Sequence, residues 1–156
     1  MTEYFKNFTE QLRLREGYRE EVYLDTLGKV TCGTGHLLSP AENAQYDVGD
    51  VIDTAILESW LEQDSEKAWN AAAQQLQDLN IEKLEFIVAL SSVNFQLGTH
   101  WMNKFPSAYK ALLNKDYAEA IKQVSTGSGK DGQSKWKEQT PVRVEDFVKA
   151  IKTLIN

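Results

Sequence analysis

The chain has 156 residues, 42% hydrophobic and 26% charged, with a net charge of -6. That length suits one domain, or two small lobes sharing a helix, and buries enough surface to fold without a metal or disulfide staple. The acidity argues against a nucleic-acid binder, which would carry a basic face; the single cysteine, Cys32, excludes an internal disulfide and a thiolate zinc site; and the longest apolar run, Phe86 to Leu90, is far short of the ~20 residues of a membrane helix.

The opening Met1-Thr2-Glu3-Tyr4-Phe5 has neither the basic nor the apolar region of a signal peptide. A chain starting there is expected to be made in a cytoplasm with no export route of its own. Thr2 can cap a first helix in which Phe5, Phe8 and Leu12 recur at helical spacing, and Gly17 is a natural stop. Glu16 then sits at its last turn. Val22-Tyr23-Leu24 and Val30-Thr31-Cys32 favour strands and flank a turn at Leu27-Gly28. His36-Leu37-Leu38 follows as a third short strand. Residues 39 to 53, with Pro40, Asn43, Gly49 and Asp50, are loop-like.

From Asp53 the pattern is helical. A long helix from Asp53 or Thr54 carries Leu57, Trp60, Leu61, Ala68, Trp69, Ala72 and Leu76 on one stripe. Asn80 is expected to start the next, with Leu84, Ile87, Val88, Ser91 and Phe95 inward and Gly98 at its end. Pro106 opens a helix to Leu112 or Leu113, and Asp116 a short one over Tyr117 to Val124. Residues 126 to 134 contain three glycines and are expected to form a flexible loop. Ser128-Gly129-Lys130 within it lacks the remaining residues of a phosphate-binding loop. The last helix begins near Pro141, with Phe147, Ile151 and Leu154 inward. Trp60 and Trp69 are expected in the core, and Trp101 and Trp136 beside a cleft. Cys32 is expected as a small buried strand residue. The order is one helix, a small β lobe, then a helical bundle, which leaves a cleft between lobes.

Glu16 ends a helix and Asp25 lies on the hairpin after it, so the two carboxylates can face each other. Thr31, on the return strand, can join them. A pair of acids across a cleft is what cleavage of a glycosidic bond requires, one donating a proton and the other activating water or attacking the sugar. In a chain with 23 acidic residues, that spacing alone carries little weight, and Glu20 and Glu21 are equally available.

The wider pattern carries more. Glu16, eight residues, Asp25, five residues, Thr31, then Gly33-Thr34-Gly35-His36 resembles the active-site hairpin of the T-even phage lysozymes, the family-24 glycoside hydrolases. Asn94-Phe95-Gln96-Leu97-Gly98, Trp136 with Gln139-Thr140-Pro141 and Arg143, and Leu61-Glu62-Gln63-Asp64 resemble further family segments, in order along nearly the whole chain. The resemblance implies an α+β, mainly helical lysozyme-like fold in a single domain. Its small antiparallel β lobe would span about residues 17–53, and its helical lobe residues 1–16 and 54–156. It implies hydrolysis of the β-1,4 bond between N-acetylmuramic acid and N-acetylglucosamine in bacterial peptidoglycan, with inversion at the anomeric carbon. Glu16 would be the general acid, and Asp25 with Thr31 would position and activate water. Gln96, Phe95 and Gly35 would contact the sugar. Arg143 would approach Glu16, and His36 would pair with Asp64 to tie the β lobe to the long helix. No metal or cofactor is implied.

The partner so implied is the peptidoglycan glycan strand, met by a monomer in the periplasm or cell wall, with no membrane insertion. Many family members are basic, so the acidity here suggests delivery by a holin, a tail or a secretion machine. Position 27 is leucine where several relatives carry a polar residue. Lys135 and Lys137 are expected near the anionic wall. Two alternatives stand beside this one: a peptidoglycan-binding module that does not cut, and a lytic transglycosylase, which Asp25 disfavours because that reaction uses no water-activating carboxylate.

Overall fold

The computed structural model describes residues 2–155, so the lobe limits expected at residues 1 and 156 lie outside the described residues. The chain forms α1 (Thr2–Glu16), β1 (Arg19–Leu24), β2 (Val30–Gly33), β3 (His36–Leu37), α2 (Pro40–Gln45), α3 (Thr54–Asp78), α4 (Phe86–Leu97), α5 (Trp101–Lys104), α6 (Pro106–Leu113), α7 (Tyr117–Ser125), a single 3-10 turn (Lys130–Gly132), α8 (Lys135–Gln139) and α9 (Pro141–Lys152). It is an α+β fold, mostly helical, with one small antiparallel sheet of order β1-β2-β3.

The apolar spacing of α1 buries Phe8 and Leu12 against Leu61 and Ala68 of α3, with Phe95 of α4 packed alongside. At its end Arg15 forms two hydrogen bonds with Asp146 of α9, at 2.8 and 3.2 Å, and Gln11 donates to the same carboxylate. The first helix is thus fastened to the last one. Gly17 follows at φ 70° and turns the chain into the sheet.

Strand alternation sorts the sheet into two faces. Val22 and Cys32 point down onto Leu38, Ile52, Leu57 and Trp60 in a small core, where Cys32 is fully buried as expected. Tyr23, Thr31 and Leu37 lie in register across the three strands on the other face.

The 25-residue α3 runs from this small core past the Phe8–Leu12 cluster to a large core. Leu57 and Trp60 serve the small one and Ala72 and Leu76 the large one, which is built around α4 with Phe86, Ile87, Leu90, Trp101, Trp136 and Phe147. Inside the large core a polar network is satisfied. Asn94 and Gln75 exchange side-chain hydrogen bonds at 2.7 and 2.9 Å, and the Trp101 indole donates to Gln75 at 3.1 Å. Trp101 is therefore a core residue rather than one flanking a cleft.

Two further expectations, on residues 39 to 53 and on Asn80, are corrected. Residues 39 to 53 are not all loop, because Ser39 builds a capping box that starts α2. Its hydroxyl accepts from the Glu42 N–H and the Glu42 carboxylate accepts from the Ser39 N–H, with Pro40 in the first turn. Asn80 ends α3 instead of starting α4. It adopts φ 52°, and the N–H groups of Asn80 and Ile81 return to the carbonyls of Gln77 and Leu76, a Schellman closure. The next helix starts only at Phe86, leaving Leu84 53% exposed rather than inward. The glycine-rich segment 126–134 is crossed by hydrogen bonds, with Thr126 and Gln133 forming a β-bridge and the Glu138 carboxylate accepting from Lys130 N–H at 3.0 Å. Two short helices, α5 and α8, were not anticipated.

Candidate active site

The end of α1, the cleft-facing side of the sheet, α3 and the C-terminal end of α4 enclose a cleft of about 740 Å³. Of the nine residues singled out in the sequence, Glu16, Asp25, Thr31, Gly35, His36, Asp64, Phe95 and Gln96 line it. Arg143 lies behind, in a smaller adjoining cavity of about 140 Å³.

Glu16 is 19% exposed in its side chain and is gripped by the Arg143 guanidinium. Arg143, at 7% exposure, is itself anchored by Ser92, donating to its carbonyl and its hydroxyl at 3.2 and 3.0 Å. Gly35 closes the other side: a Cβ at that position would stand 2.9 Å from Glu16 Oε2. The backbone there has φ 66°, which glycine adopts freely. Position 35 thus admits the Glu16 carboxylate only because it has no side chain.

Asp25 is held by the turn it starts. Its Oδ1 accepts from the N–H groups of Leu27 and Lys29, each at 2.8 Å. Its backbone pairs with Lys29 and Gly28. Thr31, 3% exposed, donates its hydroxyl proton to the Lys29 carbonyl at 2.9 Å. Both residues line the cleft and keep acceptor capacity unused among the described residues: Oδ2 of Asp25 and the Thr31 hydroxyl oxygen.

His36 bonds through both ring nitrogens, Nδ1 to Asp64 at 2.6 Å and Nε2 to Glu42 at 2.9 Å. Burial disfavours its charge, yet the hydrogen bonds and charges of the two carboxylates outweigh it and raise its pKa above the ordinary value. Burial likewise acts against the Glu42 carboxylate, but the Ser39 N–H and His36 prevail and its pKa is lowered. The imidazolium so favoured is a clamp between α2, β3 and α3.

The Gln96 amide is half committed. Its oxygen accepts from the Trp136 indole at 3.0 Å and its nitrogen donates to Thr140 at 2.9 Å. One N–H and one lone pair remain for the cleft.

Three functional neighbours escaped sequence reasoning. Glu42 carried a legible signal, the Ser39-x-x-Glu42 capping pattern. Thr140 lay in the Gln139-Thr140-Pro141 segment already noted, without a role of its own, and Ser92 carried none.

Comparison with known proteins gives the family. The profile of the phage lysozyme family matches residues 13–140. The peptidoglycan hydrolase gp36 of Pseudomonas phage phiKMV is 27% identical over 145 residues, covering 92% of this chain. The chain spans only 15% of that protein's length. Probable T4-type lysozymes 2 and 1 of Dictyostelium discoideum are 26% and 24% identical, each alignment covering 92% of both chains.

Proposed function

The chain belongs to the phage lysozyme family, and on that premise we propose that it hydrolyses the β-1,4 bond between N-acetylmuramic acid and N-acetylglucosamine in bacterial peptidoglycan. The observation that carries this is the placing of Glu16, Asp25 and Thr31 on the lining of one cleft.

Glu16 gives its proton to the leaving glycosidic oxygen. Arg143 on one side and the bare backbone of Gly35 on the other fix where that proton is offered. A water between Asp25 Oδ2 and the Thr31 oxygen finds two acceptors, so both of its protons point at protein and a lone pair points at the sugar. As that water attacks the anomeric carbon, Asp25 takes one of its protons. Attack from the side opposite the leaving group inverts the anomeric centre. Gln96, with Phe95 beside it, offers its free N–H and lone pair to an acetamido group. The relative from phage phiKMV, whose name is peptidoglycan hydrolase, supports the same substrate. The site of action is the wall, reached by holin release or by a tail or secretion machine. Among the described residues no helix is long and apolar enough to cross a membrane.

The test is clearing of permeabilised Gram-negative cells and of isolated sacculi. Glu16→Gln lowers the rate by about 10²–10⁴-fold with an unchanged melting curve, and Asp25→Asn cripples it as well. Full turnover in folded Glu16→Gln protein defeats the assignment. Mass spectrometry of the fragments finds reducing ends; anhydro ends mean transglycosylation instead. NMR of freshly released ends finds the inverted anomer.

A further inference from the structure

We propose that the cleft selects glycan strands whose stem peptides carry free carboxylates, and that Lys29, Lys67, Lys104 and Lys135 are the groups that read them. This deepens the hydrolase assignment and rests on it for the identity of the glycan.

The chain is acidic, with 23 Asp and Glu against 17 Lys and Arg. Its cleft is not. Four lysines stand on the lining, brought there by four separate parts of the fold: the turn before β2, α3, α5 and α8. All four are exposed. Among the described residues, the lysines in ion pairs are Lys6 and Lys83, both elsewhere. Lys104 Nζ donates to the Leu97 carbonyl at 3.1 Å, and among the described residues no side-chain partner holds Lys29, Lys67 or Lys135.

The cleft's acids are meanwhile engaged by other groups. Glu16 is held by Arg143, Asp64 by His36, and Asp25 Oδ1 by two backbone N–H groups. Leu27, 70% exposed on the same lining, puts no carboxylate beside Lys29. The charges left free to meet a ligand are therefore mainly ammonium groups. Like charges gathered in one groove repel, and among the described residues no ion pair offsets that for these four lysines. A neutral polysaccharide gives them nothing to pair with. A strand bearing peptide carboxylates outside its sugar rings gives each lysine at the rim a counter-ion. Local charge on the groove then does what net charge cannot, drawing an acidic protein onto an anionic wall.

The experiment is sedimentation binding to purified sacculi freed of other wall polymers, using Glu16→Gln protein so that the wall is not consumed. Half of the sacculi have their stem-peptide carboxyls converted to amides. Amidation is expected to weaken binding about tenfold, and rising salt to weaken binding to native walls more than to amidated ones. Combining Lys67→Gln, Lys104→Gln and Lys135→Gln weakens binding to native walls by a similar factor and flattens its salt dependence. The amidated walls give the same test without touching the protein's fold. Equal binding to native and amidated walls overturns the proposal. So does a triple lysine variant, with an unchanged melting curve, that keeps the native-wall preference and salt slope. Binding that appears only when phosphate-bearing wall polymers are left in place overturns it too. A wild-type chain that shows the carboxylate preference yet cuts no wall supports the charge reading while defeating the hydrolase assignment.

Discussion

His36 lies flat on Trp60, with ring centroids 4.4 Å apart and planes 20° from parallel. The stacking leaves both edges of the imidazole facing outward, and each edge meets a carboxylate. Both nitrogens donate when the ring is charged, the form that the two carboxylates favour.

The clamp sets a pH window for stability. His36 has a folded pKa raised above 6.5, so its contribution is whole below 6.5 and is lost as pH rises through the raised value. Glu42 has a folded pKa lowered below 4.5, so its contribution is whole above 4.5 and is lost as pH falls through the lowered value. Thermal unfolding across pH is expected to show the clamp at full strength between these limits. Asp64→Asn lowers stability by about 1–3 kcal/mol and blunts the alkaline decline. At low temperature the folded variant keeps most of its activity, and loss of turnover in folded protein would place Asp64 in the chemistry.

Gly35→Ala separates strain from chemistry. Alanine at φ 66° costs about 1 kcal/mol, and its methyl meets Glu16 Oε2 at 2.9 Å while Arg143 holds the same carboxylate. The carboxylate must shift, and turnover is expected to fall by about 10²-fold. Gly49→Ala is the control: φ is 96° with no atom within 4 Å of the new methyl. It loses similar stability and keeps its rate per folded molecule. Rates normalised to the folded fraction distinguish the two.

Gln96→Leu removes the acceptor of the Trp136 indole and the donor to Thr140. Trp136 is 5% exposed, so its N–H is left with little access to water. Denaturant unfolding is expected to show a loss of about 1–3 kcal/mol. Binding of sugars bearing an acetamido group weakens as well, whereas a role confined to packing leaves that affinity unchanged.

Asn80→Gly tests the end of α3. Asparagine tolerates φ 52° and glycine adopts it more freely. The substitution is expected to raise stability by about 0.5 kcal/mol, and Asn80→Ala to lower it. Melting curves of the pair check both signs.

Legibility followed distance along the chain. Glu16, Asp25, Thr31 and Gly35 belong to one helix end and one hairpin, so a single stretch carried their pattern. Asp64 and Arg143 became legible only through resemblance to a family, because no local rule links them to His36 and Glu16. Asn80 misled because asparagine suits the start of a helix and also the left-handed turn that ends one. The exposed side of α2 was missed by looking for apolar spacing, although Ser39 and Glu42 announced its start. Helices of four and five residues, α5 and α8, are too short for periodicity to register. Ser92 was invisible for a different reason: its value lies in one buried guanidinium, and nothing near it in sequence points there.

The fastening of the first helix to the last has a consequence for how the molecule comes into being. Arg15 and Asp146 are 131 positions apart, and Glu16 and Arg143 are 127 apart. A ribosome emits the front of this chain long before it emits the residues that seat it. Until those arrive, the Glu16 carboxylate has no guanidinium to fix it, and any product cut short before position 143 lacks that seat altogether. The seat of Glu16 is thereby tied to synthesis reaching the last helix.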